Sequence, residues 1–359
     1  MPTRRVAHPR IRFTVVAVGV IAAMSGCLYG PPYDQLLSGD AALLELARET
    51  YTDAADRVAL AVIDGDDVRT AFVSADDSTR FDLGSAARGL TGLLLQDAIA
   101  RGEATLDDPV STYLDLDDAP AAELTLRDLA THHSGLPQDP LAPGARQPPA
   151  SPGAQLAGSD RGGLDELLRR VEAIDLVPQL DFNVSDFDAA LVGQALAAAT
   201  GVRFADLLEE RVLVPAGMTG AVVAESVDLM PDGLAQGHDR RGRRMGPVGS
   251  GAYSPAVGVV VTLADIIALA RAILEGPFAD SGAFEPIERT RWPQVQIGLF
   301  WERIETSEGD AVYVVGEGNG FTAAVLVDPD HGTAAVLLSN AEEAWPRSHV
   351  RPLLAAIGD

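Results

Sequence analysis

The chain contains no lysine. All 27 of its cationic side chains are arginine, in a sequence of 359 residues. That absence excludes a Schiff-base lysine, a phosphate-loop lysine and a serine–lysine dyad. Cysteine is nearly absent as well. Cys27 stands alone, so no intrachain disulfide can form and a cysteine-rich zinc site is excluded. Positive charge is scarce: the net charge is −25. Such a chain has no basic surface with which to neutralise phosphates, which excludes nucleic acid as a partner. No cofactor or metal is implied. A 47% apolar, 22% charged composition is that of a globular protein with a core, in one large domain or two small ones.

The apolar run at residues 13–24 is short for a comfortable membrane crossing. It follows Arg4, Arg5, Arg10 and Arg12 and leads through Ser25 and Gly26 into Cys27. This segment resembles a bacterial lipoprotein signal, with Met24-Ser25-Gly26-Cys27 as the lipobox. The resemblance implies cleavage before Cys27 and a diacylglycerol on its thiol. The product is exported and held by lipid to the outer face of the bacterial cell membrane. The alternative is an ordinary secretory signal with a chance cysteine. Thr3-Arg4-Arg5 has a faint similarity to a twin-arginine signal but lies far from the apolar run. Loss of residues 1–26 removes four arginines and no acid, taking the net charge from −25 to −29. The membrane contact then comes from lipid and not from electrostatics. The expected organisation is a signal over 1–26, a tether over 27–42 and a domain over 43–358. Within the domain, a loop rich in Pro, Gly and Ala over 137–163 is expected to be mobile.

Apolar spacing predicts helices over 41–55, 84–101, 164–174, 187–199, 204–213, 262–274 and 347–357. Strand-like runs occupy 57–63 and 68–73, separated by the turn signal Asp64-Gly65-Asp66-Asp67, and then 311–315, 322–327 and 333–338. This order predicts an α+β fold. Both chain ends build one antiparallel sheet flanked by helices, and a mostly helical insertion separates them.

Several motifs then resemble one family. Phe81-Asp82-Leu83-Gly84-Ser85-Ala86-Ala87-Arg88 and Leu106-Asp107-Asp108-Pro109-Val110 are similar to the nucleophile region of the serine β-lactamase-related family. That family comprises class C β-lactamases, D-alanyl-D-alanine carboxypeptidases and related esterases, all of the penicillin-binding-protein fold. Leu124-Thr125-Leu126-Arg127-Asp128-Leu129 and Thr131-His132-His133-Ser134-Gly135-Leu136-Pro137 resemble its signature. Later landmarks are Pro215-Ala216-Gly217-Met218-Thr219, Gly237-His238-Asp239, Thr262-Leu263-Ala264-Asp265 and Asn340. The resemblance runs over about residues 43–345 and implies a β-lactamase/transpeptidase-like fold.

It also implies a site. In the family a serine sits at a helix N-terminus, where developing negative charge is favoured. A lysine at i+3 takes its proton, a tyrosine or serine of a second motif relays protons, and a Lys/His-Thr/Ser-Gly strand binds substrate carboxylate. Here Ser85 is present, but Arg88 stands at the lysine position. A guanidinium is no base near neutral pH. The Tyr-x-Asn motif falls on Val184-Ser185-Asp186, and valine has no proton to relay. The third motif falls on Val314-Val315-Gly316 without a gap, or on Glu317-Gly318 with one. Neither placement supplies a cation at its first position. Loss of a general base alone costs about 10² to 10⁴ in rate, or about 3 to 5.5 kcal/mol.

Each of these residues also has a purely structural reading. Ser85 is either the nucleophile or a helix cap. Arg88 is either an anion clamp or the partner of Asp186 in an ion pair. His132 and His133 could replace the base, although the first histidine of this signature is normally structural. Glu317 lies in Gly316-Glu317-Gly318-Asn319-Gly320, which reads as a turn, and residues 240–244 form a basic cluster. Asn183-Val184-Ser185 fits a glycosylation sequon that matters only in a pathway able to use it. The resulting expectation is a surface lipoprotein of the serine hydrolase family with a degenerate site. Its role would be binding, to cell-wall peptide, a small ester or a protein partner. The alternatives are an active serine hydrolase using Ser85 with a rebuilt base, and a structural envelope protein.

Overall fold

A computed structural model of the protein describes residues 36–50, 57–138, 160–176, 181–305, 310–342 and 346–358. The expected signal over 1–26, the expected lipid-attachment residue Cys27 and most of the expected tether lie outside them, as do residues 139–159 of the expected loop. Contacts divide the chain at Gln35, and Leu36–Asp359 form one unit.

The strands come from both ends of this unit. From the N-terminal side come β1 (Leu37–Gly39), β2 (Val58–Asp64) and β3 (Asp67–Val73). A second small sheet begins at β4 (Phe81–Asp82) and continues with β5 (Val222–Val223) and β8 (Val259–Val261). A third is the hairpin of β6 (Gly237–His238) and β7 (Arg244–Met245). From the C-terminal side come β9 (Glu288–Arg289), β10 (Val295–Ile297), β11 (Glu302–Glu305), β12 (Asp310–Gly318), β13 (Phe321–Asp328) and β14 (Thr333–Ser339). The main sheet has nine strands in the order β1-β3-β2-β14-β13-β12-β11-β10-β9. The two chain ends meet where β14 pairs antiparallel with β2, from Thr333↔Asp64 to Ser339↔Val58.

The expected hairpin at residues 64–67 is present: Asp64 faces Asp67 across a two-residue turn. Leu37–Gly39, within the segment expected to be a tether, adds to the sheet along β3. Strands β9 to β11 give no recognisable signal in the sequence. They are two to four residues long, below the length at which alternation can be recognised.

Alternation along each central strand divides the core in two. Ala59, Ala61 and Ile63 of β2 enter one apolar cluster, and Val58, Leu60 and Val62 enter the other. Val325 and Leu326 of β13 divide in the same way. Both faces are covered, so these strands read as continuous apolar runs and not as alternating ones. One face packs against the helical block, which contains α2 (Arg88–Ala100), α5 (Asp186–Thr200) and α7 (Leu263–Leu274). The other carries α1 (Ala41–Thr50) and the C-terminal α8 (Val350–Gly358). Between α2 and α5 lie α3 (Leu126–Ala130) and α4 (Leu164–Glu172), and α6 (Phe204–Leu208) follows α5.

The first two turns of α2 are buried all round, from Arg88 to Leu95. It is the central helix of the helical block. Trp301 fills the space beside it: its Nε1 donates to the Gly89 carbonyl at 2.9 Å, and Phe284 meets its ring edge-on at 5.2 Å. The indole is fully buried, so its removal opens a cavity and takes one donor from that carbonyl. Trp301→Ala is expected to lower the unfolding free energy by about 3–5 kcal/mol, read from urea denaturation. A loss below about 1 kcal/mol would contradict this packing account.

Candidate active site

The Ser85 segment is a 3₁₀ turn, Gly84–Ala87, that runs into α2 at Arg88. Its geometry rests on close contact with β12. Gly84 has φ +53°, and a Cβ there would stand 2.6 Å from the carbonyl carbon of Glu317. On the facing strand, a Cβ on Gly316 would stand 2.0 Å from the Ala86 nitrogen and 2.8 Å from Ser85 Oγ. Two glycines therefore allow strand and turn to touch backbone to backbone. The neighbouring Glu317 N–H donates to Ser85 Oγ at 3.3 Å.

This contact orders the two ways of placing the third motif. With Val314-Val315-Gly316, the glycine is the residue pressed on the serine turn, and the next N–H faces the hydroxyl. Val314 is buried and belongs to the cluster on the α2 side. On that placement the first position, Val314, is core and not a ligand-facing cation. The Glu317 carboxylate turns aside to pair with Arg240, from the turn between β6 and β7. One arginine of the basic cluster thus reaches the strand beside Ser85.

Ser85 does not cap a helix. The residue at the cap of the 3₁₀ turn is Leu83 and that of α2 is Ala87, and neither makes a side-chain cap bond. The hydroxyl-bearing residue is instead half-buried. Among the described residues its Oγ meets one hydrogen-bonding group, the Glu317 N–H, and no side chain that could take its proton.

Arg88 is 4% exposed. Its Nη1 donates to the Ser85 carbonyl at 2.6 Å and its Nη2 to the Val315 carbonyl at 2.8 Å. The guanidinium thus ties the serine turn to β12. The acid expected opposite it, Asp186, lies 3.7 Å from Arg161. Val184 is half-buried, while Ser185 caps α5 by accepting from Phe187 N at 3.1 Å.

Arg161 falls within the segment expected to be a mobile loop, yet it is only 7% exposed. It crosses from Asp186, at the start of α5, to the β12–β13 turn, where Nη2 donates to Asn319 Oδ1 at 3.3 Å. Asn319 in turn donates to Asp82 Oδ2 at 3.0 Å, and the other oxygen of Asp82 accepts from Gly84 N at 2.9 Å. Burial pushes the Asp82 carboxyl up from its ordinary range. The Asn319 hydrogen bond, the Gly84 N–H and the nearby Arg161 pull it back. Sequence reasoning missed this Arg161-Asn319-Asp82 chain. Composition makes residues 137–163 look unstructured, and only the Asn319-Gly320 turn has a local signal.

His132 occupies a left-handed backbone position, φ +60°. Its Nδ1 lies 2.6 Å from Asp188 Oδ2, and both side chains are buried. Ser134 Oγ donates to the other Asp188 oxygen at 2.5 Å. Burial drives the Asp188 carboxyl well up, and the Ser134 hydrogen bond opposes this. The His132 carbonyl accepts from Asn183 N at 2.9 Å, so this histidine joins the signature turn to the segment before α5. His133 Nδ1 is 2.9 Å from the Thr131 carbonyl, within its own turn.

The geometry makes Arg88 a support for the serine turn. Arg88→Ala leaves two carbonyls without these donors, and a loss of about 2–4 kcal/mol in unfolding free energy is expected. Arg88→Lys should recover less than half of that, because an ammonium cannot present the two-pronged fork. An alanine variant within about 0.5 kcal/mol of the parent in urea denaturation would refute the role.

Known proteins share this architecture. A class C beta-lactamase superposes with TM-score 0.72 at 16% identity, over 88% of this chain and 94% of that one. The class C beta lactamase from Rhodobacter sphaeroides superposes with TM-score 0.70 at 20% identity, over 89% and 99%. At these identities the likeness is one of fold, the β-lactamase/transpeptidase fold. A D-aminopeptidase of Brucella anthropi is 29% identical over 162 residues, 43% of this chain, and the match spans 28% of that protein's length. The sequence model of the Beta-lactamase family matches residues 47–358. That match covers most of the chain, and the chain belongs to the Beta-lactamase family, the family of serine β-lactamase-related hydrolases.

Proposed function

We infer that this protein is a surface lipoprotein whose serine hydrolase site is degenerate and serves to bind. The observation that carries this reading is Arg88. At the position where the family has its base stands a permanently protonated guanidinium, committed to the Ser85 and Val315 carbonyls. Val184 and Val314 likewise offer no proton and no charge. Positive charge near the site comes from elsewhere, from Arg161 and from Arg240 beside Glu317. Both are paired with acids, Asp186 and Glu317, and the ligands to consider are cell-wall peptide, a small ester or a protein partner. The name of the D-aminopeptidase relative points to peptides as the first ligands to try.

A second reading has one observation in its favour. The Glu317 N–H at 3.3 Å from Ser85 Oγ is a donor placed where an oxyanion could develop, as a hydrolase with a rebuilt base would need. A purely structural envelope role has no comparable support.

On the binding reading, a fluorescent penicillin or a fluorophosphonate leaves Ser85 unlabelled, and a panel of activated esters and β-lactams shows no turnover that Ser85→Ala removes. Stoichiometric labelling lost in Ser85→Ala would favour the hydrolase instead. The anchor has a separate test. Cys27→Ser should move the protein from the membrane fraction to the soluble fraction, and unchanged membrane association would contradict a lipid on that thiol.

A further inference from the structure

A cavity of about 330 Å³ opens beside the serine turn. Its walls are mixed, with Met230, Leu234, Met245 and Phe321 among the apolar residues. Asp232 and Gln236 are exposed and mark its rim, whereas Asp82 and Asn319 are 2% and 8% exposed and mark its inner end. A volume of this size suits a small molecule, and thioethers adapt to an irregular apolar body.

The charged groups of the cavity are of one sign. Among the described residues, two carboxylates line it, Asp82 and Asp232, and no arginine or histidine does. Arg161 acts on Asp82 from behind Asn319, to which it is bonded. Asp82 receives N–H groups from Gly84, Asn319 and Gly258. An ionised carboxylate has about four acceptor sites, so capacity for one further donor remains. A neutral ligand would use the apolar walls alone. A cationic one would also meet the buried carboxylate, in a low-dielectric setting where a charge-assisted hydrogen bond is strong.

We propose that this cavity binds a small ammonium ligand with a compact apolar body, its charged head on Asp82 and its body against Met230, Met245 and Phe321. The same carboxylate holds the Gly84 N–H, so the bound head stands one hydrogen bond from the serine turn. The site is independent of whether Ser85 reacts.

Benzylamine, protonated at neutral pH, is the probe, and benzyl alcohol is its neutral counterpart. The full chain is labelled at its methionine methyls and followed by NMR, with signals assigned by single Met→Leu changes. Benzylamine is expected to shift the Met230 and Met245 signals and to leave that of Met218, a core residue that does not line the cavity. Benzyl alcohol should need at least about tenfold more to reach the same shift. Asp82→Asn should erase that preference. Unmoved Met230 and Met245 signals, an equal response to both probes, or a folded Asp82→Asn protein that keeps the preference would each overturn the proposal. If Asp82→Asn does not fold, the comparison of the two probes on the parent chain decides.

Discussion

The backbone contact between the serine turn and β12 is the constraint on which the site depends. Gly84 and Gly316 leave no space between the two segments, and Arg88 bonds a carbonyl from each. Arg88 and Val315 are 227 residues apart in the chain. In the folded chain β12 is joined through β13 and β14 to β2, so the contact spans strands from both chain ends. Everything aimed at Ser85, including the Glu317 N–H, inherits its position from that contact.

A chain without lysine has to place positive charge with guanidinium alone, and this changes what a buried cation can do. An ammonium can give up its proton when it is desolvated, whereas a guanidinium stays charged and seeks several acceptors. Arg88 and Arg161 both show this behaviour. The first is bonded to two carbonyls, and the second lies between Asp186 and Asn319. Both hold distant segments together. The buried Asp188, with His132 and Ser134 on its two oxygens, does the same for the signature turn through a different chemistry. The site is thus held by hydrogen bonds and ion pairs between segments far apart in the chain.

Much of the fold is legible in the amino-acid sequence alone. The strands at 58–64, 67–73, 310–318, 321–328 and 333–339 lie within a few residues of their expected limits, because apolar runs bounded by turn residues are local signals. Arg88 can be set at i+3 from Ser85 by counting, since a helix converts spacing into facing. Other features are not legible. The short strands β9 to β11 have too few residues to show a period. Ser85 resembles a cap because serine before a helix usually is one, yet its hydroxyl turns to Glu317. Arg161 is hidden by the Pro- and Gly-rich composition around it, and its burial is decided by Asp186 and Asn319, distant in the chain.

By itself, then, the sequence determined the element order, the α+β class and the presence of arginine, not lysine, at residue 88. Each of these follows from neighbours in the chain or from the identity of a single side chain. The tertiary structure alone decided which groups stand around Ser85: the Glu317 N–H, the Arg88 fork, the Arg161-Asn319-Asp82 chain and the cavity beside it. Those contacts join residues far apart in sequence, and packing of the closed sheet against the helical block, rather than any local propensity, brings them within hydrogen-bonding distance.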